Sequence, residues 1–246
     1  MNETLRLMQA HRSHRCFSPD PIDPAQLQAI LEAAHHGPTS INSHQVSLIL
    51  TRDPKARAQL AQIAGDQPWI AQAPVFITLV LDFYKTGLGV ARAGQTQQIQ
   101  RSLEGLLSAS LDAGIALGNL MTAARSVGLG VVPIGGIRRD PEAVIELLDL
   151  PEWTFPVAGL CLGHIAKQGP QKPRMPLSSY CFEERYQADW LPEIIARYDE
   201  SLCEFWRRVG REDGLSWSQN TALFYSQCYF PQVKAMAKAQ GLTAEE

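Results

Sequence analysis

The chain has no excess of charge of either sign. Its 22 Lys and Arg against 25 Asp and Glu give a formal net charge of −3 and a pI of about 6.1. A generic nucleic-acid binder carries a basic field over the whole domain, so any anion binding here must be local. No disulfide or zinc pattern is present either. The five cysteines, Cys16, Cys161, Cys181, Cys203 and Cys228, are odd in number and widely spaced, without a C-x-x-C, which fits a reducing cytoplasm. The longest apolar runs, such as Val75 to Leu81, fall far short of a bilayer span, and the start MNETLRLMQAHR lacks a basic-then-apolar signal. The expectation is therefore a protein neither exported nor inserted in a membrane, and one that does not bind nucleic acid. Also missing are a G-x-G-x-x-G after any strand, a P-loop, an H-E-x-x-H and a G-x-S-x-G. None of the chemistries those motifs signal is indicated.

Hydrophobic residues, by contrast, make up 45% of the 246 residues, enough for a sizeable core. Residues 3 to 10 predict a short helix capped by Asn2. Asp23-Pro24, Asp53-Pro54 and Asp140-Pro141 each read as an N-cap followed by proline at the first helical position. The helix opened by Asp23 stops at Gly37-Pro38, and the one opened by Asp53 runs to Gly65. A turn is expected at Asp66 to Trp69. Gln45 to Thr51, Ala73 to Asp82, Gly130 to Ile134 and Phe155 to Cys161 predict strands, the second buried on both faces. From about Gln95 to Val127, apolar residues recur at three and four, interleaved with Gly105, Gly114 and Gly118. This predicts a helix buried all round, against its own sheet and a possible second subunit. Further helices are expected over Leu191 to Trp206, Ser216 to Gln227 and Pro231 to Gln240. The simplest organisation is one domain over residues 1–246, with a helical C-terminal extension from about 189.

Candidate binding residues lie at both ends of this core. His11-Arg12-Ser13-His14-Arg15 gathers two guanidiniums, two imidazoles and a hydroxyl. On its own it reads either as a solvated surface cluster or as an anion site made of forked donors. Gly37 to His44 is a loop rich in short hydrogen-bonding side chains, suited to a plain connection or to ligand approach. Gly135-Gly136 ends a strand where a backbone could come close to a ligand. Lys172-Pro173-Arg174 projects two cations from a proline-stiffened segment. His35, His36, His44 and His164 show no metal-ligand spacing, and no nucleophile or proton-transfer residue stands out, so neither a metal site nor a catalytic side chain is assigned.

The ordered set H-R-S-x-R near the N-terminus, G-P-T-S-I-N, G-L-G-V-V-P-I-G-G and K-P-R resembles the nitroreductase family. The likeness is greatest to its larger branch of oxygen-insensitive NADPH nitroreductases and NADPH-dependent flavin reductases, and runs from about Leu5 to Asn220. The resemblance implies an α+β fold, with a central mostly antiparallel sheet flanked by helices, in an intertwined homodimer that binds FMN at its subunit interface. It implies that His11, Arg12 and Ser13 meet the FMN phosphate and ribityl chain, joined by Lys172 and Arg174, and that Arg15 lies near the pyrimidine edge of the ring. Thr39, Ser40 and Asn42 would come from the other subunit's loop, Gln67 would bond to the ring, and Pro133, Ile134, Gly135 and Gly136 would cover the face near N5.

The implied reaction is ping-pong. NADPH, or NADH, delivers hydride to N5 and a small acceptor such as a nitroaromatic or quinone then takes two electrons, with no side chain required as acid or base. Release of reduced FMN to a partner oxygenase, a flavin-binding protein without turnover and a flavin-dependent dehalogenase are the alternatives. Family members specific for NADPH hold its 2′-phosphate with arginines before a W-S pair. Arg208 matches one of these, Asp213 stands at another, Phe230 replaces an arginine beside the pocket, and His44 replaces a usual glutamine.

Overall fold

The computed structural model describes residues 1–243. Its elements in chain order are α1 (Glu3–Gln9), α2 (Pro24–His35), β1 (Val46–Thr51), α3 (Pro54–Ile63), α4 (Pro68–Gln72), β2 (Val75–Asp82), α5 (Phe83–Arg92), α6 (Leu103–Ser126), β3 (Gly130–Ile134), α7 (Pro141–Leu147), β4 (Thr154–Gly163), α8 (Leu191–Arg208), α9 (Trp217–Tyr225) and α10 (Gln232–Ala239). Each expected cap is made. Asn2 accepts from the Leu5 N–H, Asp23 from Gln26, Asp53 from Ala56 and Asp140 from Ala143. Such a cap satisfies one of the four N–H groups that a helix start leaves without a partner.

The strands form one antiparallel sheet in the order β1-β2-β4-β3. Alternation along β2 explains why its apolar residues, interrupted only by the buried Thr78, serve both faces. Val75, Ile77 and Leu79 pack with Leu27 and Ile30 of α2 and with Leu120 and Ala124 of α6. Phe76 points to the opposite face, against Leu60, Ile70, Val132 and Cys161. Helices thus cover both faces of the sheet, and the fold is α+β as expected.

Two compact units make up the chain. One comprises Met1–Gly169 with the stretch from Phe230 onward, and the other is Pro170–Tyr229. In the first, the Trp153 N–H donates to the Gln240 carbonyl at 2.8 Å, which fastens the end of α10 beside the start of β4. In the second, α8 packs on α9, Leu202 and Phe205 are buried, and Ser216 and Gln219 form a reciprocal capping box.

Three local differences from the sequence expectations have physical causes. The long helix begins at Leu103 rather than near Gln95, because Ser102 caps it and a 3-10 turn over Ile99–Arg101 precedes it. Asp82 closes β2 and also accepts from the Lys85 N–H, which starts α5, an element the sequence did not predict. Pro68–Gln72 forms a short helix where a turn was expected. The face of α6 is also more open than expected: Leu103, Leu107 and Leu111 are 52%, 60% and 67% exposed in the chain itself. By length and composition, α6 is the one helix among the described residues that could cross a membrane.

Candidate functional site

The pentapeptide leaves α1 extended along β3, the edge strand of the sheet. The His14 N–H donates to the Val131 carbonyl at 2.9 Å, and the Val131 N–H donates to His14 Nδ1 at 3.3 Å. His14 is buried. Burial pushes its pKa below the ordinary value of 6.5, the guanidiniums of Arg125 and Arg12 push the same way, and the opposing Val131 backbone contact is outweighed. A neutral ring unprotonated at Nδ1 follows, anchoring the cluster from inside. The chain then pairs Phe17 with Ile165 beyond the end of β4.

On either side of that anchor the cations face other surroundings. The Nε of Arg12 is buried and has no hydrogen-bond partner among the described residues. Neither Arg12 nor Arg15 meets a carboxylate among the described residues. A buried unbonded donor costs about 1–3 kcal/mol, and more when charged, so the position suits a bound anion. Arg15 keeps an exposed surface, although nearby protein lowers its pKa by desolvation. Its guanidinium stands 5.5 Å from the centroid of the Trp69 ring.

The same surface carries other expected residues. Gln67 Nε2 donates to the Ala64 carbonyl at 2.8 Å, and Gly136 is pressed against that pair. A Cβ at Gly136 would lie 2.5 Å from the Ala64 oxygen and 2.6 Å from Gln67 Nε2. Pro133 and Gly135 are exposed, whereas Ile134 is buried. Beside them, Arg138 donates to the Val157 carbonyl and lies 5.7 Å from the Phe230 ring. Gln67 and Trp69, at the start of α4, thus have Gly136 and Arg15 as their respective neighbours.

Thr39, Ser40 and Asn42 are held elsewhere, on α6. The Ser40 N–H donates to both carboxylate oxygens of Asp112 at 3.1 Å, and the His44 N–H donates to Thr39 Oγ1 at 3.2 Å. Lys172, Arg174 and Arg208 belong to the second unit. There Lys172 Nζ lies 4.6 Å from the Trp206 ring, Arg174 donates to the carbonyls of Lys172 and Pro173 at 3.4 Å each, and Arg208 lies 5.8 Å from the Phe205 ring. Arg211 pairs with Asp213 through two bonds of 3.2 and 2.8 Å.

Trp69 and Asp112 were not singled out from the sequence. Asp112 did carry a signal, as an acid in mid-helix flanked by Leu111 and Ala113. Trp69 carried none, because its partner Arg15 is remote in sequence. His36 and His164 have plain backbone contacts, through Nδ1 to the Glu32 carbonyl at 2.8 Å and Nε2 to the Pro21 carbonyl at 3.3 Å.

The Nitroreductase family model matches residues 8–164, and that of the Nitroreductase family C-terminal domain matches residues 172–245. The chain is 38% identical to the FMN reductase [NAD(P)H] of Bacillus subtilis over 100% of both chains. It is 37% identical to the oxygen-insensitive NADPH nitroreductase of Salmonella typhimurium, covering 89% of this chain and 90% of that one. The solved structure of NfrA2 from B. megaterium superposes with a TM-score of 0.97 at 38% identity, over 100% of both chains.

Proposed function

The chain belongs to the nitroreductase family, and from that premise we propose that it is an FMN-dependent NAD(P)H oxidoreductase. Its acceptors are small molecules, nitroaromatics or quinones, and donor and acceptor occupy one pocket in turn. The observation that carries this reading is the buried, unbonded Nε of Arg12 beside a pentapeptide that His14 pins to β3. A phosphate dianion satisfies such a donor, and the donor set around it is of the right chemistry.

When bound, FMN supplies the redox chemistry, a two-electron store at ring atom N5 that the nicotinamide fills and the acceptor empties. The side chains bind and orient. His11, Arg12 and Ser13 hold the phosphate end, and the family pattern gives Lys172 and Arg174 the same charge. Arg15 and the Gln67 amide favour negative charge at the pyrimidine edge of the ring. Pro133 to Gly136 would cover the reacting face, and Gly136 has no room for a side chain against Ala64 and Gln67. Water supplies the protons, and no side chain is assigned as acid or base.

The exposed stripe Leu103, Leu107 and Leu111, with Ile41 and Ile99 also exposed, supports a homodimer in which Thr39, Ser40 and Asn42 reach the cofactor held by a second copy. The reducing cytoplasm is the compartment in this reading. Reduced flavin released to a partner oxygenase is the second reading, favoured by the likeness to an FMN reductase. Anaerobic spectra of the purified protein test both. Yellow protein bleached by NADPH or NADH supports the proposal, and protein that retains no flavin and shows no bleaching refutes it. Stopped-flow reoxidation by a nitroaromatic, a quinone and free FMN then separates the two readings.

A further inference from the structure

Asp112 is 3% exposed, in the middle of α6. None of the ion pairs among the described residues involves it. Burying a carboxylate without a cation costs several kcal/mol unless hydrogen bonds satisfy it. Asp112 meets that need from one loop. The Ser40 N–H donates to both oxygens at 3.1 Å, and Gln45 Nε2 donates to Oδ2 at 2.8 Å and to Ser108 Oγ at 3.0 Å.

Between those two attachment points the backbone is strained. Ile41, Asn42 and His44 have φ values of 46°, 59° and 50°, in the left-handed region that a β-branched residue such as isoleucine rarely enters. Each such residue costs on the order of 1–3 kcal/mol and persists only where its surroundings over-determine it. Ile41 is also 95% exposed, so its own packing within the chain does not hold it there. The two ends of the strained segment are tied to a single carboxylate on a rigid helix.

We propose that Asp112 is a positioning residue, which clamps the loop from Thr39 to His44 in its left-handed form and so sets where Ser40, Ile41 and Asn42 point. This rests on the function proposed above, in which that loop reaches the flavin. Asp112→Ala removes both ties, because it leaves the Ser40 N–H and Gln45 Nε2 without the carboxylate that accepts from them. Gln45→Ala breaks the second tie from the loop side and leaves α6 untouched.

The test is amide hydrogen exchange on full-length protein with and without FMN, together with the FMN dissociation constant from flavin fluorescence. Both variants should speed exchange over residues 40–45 by about tenfold or more, leave α6 and the sheet protected, and weaken FMN binding by about tenfold to a hundredfold. Unchanged exchange over 40–45, faster exchange spread over the whole unit, or local opening with unchanged FMN affinity each overturns the proposal. Wild-type protein that takes up no FMN overturns the functional reading instead, and it is scored first.

Discussion

Replacing Gly136 by alanine tests whether the end of β3 is as tightly built as its geometry indicates. The new methyl would start 2.5 Å from the Ala64 carbonyl oxygen and 2.6 Å from Gln67 Nε2, well inside the roughly 3.5–4.0 Å at which non-bonded atoms are comfortable. Gln67 can swing away, but only by giving up its 2.8 Å bond to that carbonyl, at about 0.5–1.5 kcal/mol. The carbonyl is held, because it shares a peptide plane with the Gly65 N–H, which donates to the Gln62 carbonyl at 2.9 Å. The remaining overlap displaces the Gly135-Gly136 backbone, at the roughly 1–3 kcal/mol typical of overpacking. The expected loss is thus about 2–4 kcal/mol, enough to matter against a total of about 5–15 kcal/mol yet compatible with a folded chain. Gly135→Ala is the control: its methyl would lie 3.2 Å from Arg138 Nη2, the movable end of a long side chain, and should cost under about 1 kcal/mol. Urea unfolding of the flavin-free proteins reads the stabilities, and fluorescence titration reads FMN affinity, expected to fall about tenfold or more for Gly136→Ala. Equal stabilities for the two variants, with unaltered FMN affinity, would refute the reasoning.

Acid should loosen the pentapeptide. His14 has its folded pKa below 6.5, so its contribution is present above that pH and is lost as pH falls through the lowered value, when Nδ1 takes a proton and can no longer accept from Val131. Urea midpoints measured across this range should fall on acidification in the wild type and fall less in His14→Asn, which keeps an acceptor but does not titrate; equal slopes would remove His14 from the effect. Lys172→Ala combined with Arg174→Ala should weaken FMN retention on dialysis, and unchanged flavin content would withdraw both from the phosphate. Arg208→Ala should raise KM for NADPH far more than for NADH in steady-state assays, and equal changes would show that Arg208 does not read the 2′-phosphate.

What could be read from the sequence was local chemistry. The Asp-Pro starts of α2, α3 and α7 were legible because a capping carboxylate and the N–H that donates to it lie three residues apart. The largely apolar run of β2 was legible because both sheet faces are covered. Asp82 misled because one side chain both ends β2 and caps α5, so the helix behind it was hidden. In the pentapeptide, the charge cluster was visible but its division was not. His14 turns inward because Val131, remote in sequence, offers a backbone pair at the sheet edge.

The clamp at Asp112 was hidden for the same reason: the Ser40 N–H that it accepts comes from a loop far along the chain. These two buried polar residues share a logic. Each takes one site segment, rich in groups that water would otherwise solvate, and ties it to an element of the core, β3 for the pentapeptide and α6 for the loop. Mobile side chains at the surface therefore inherit their positions from the sheet and its longest helix. It follows that perturbations of β3 or of the middle of α6 reach the residues proposed to hold the cofactor even where they touch none of them.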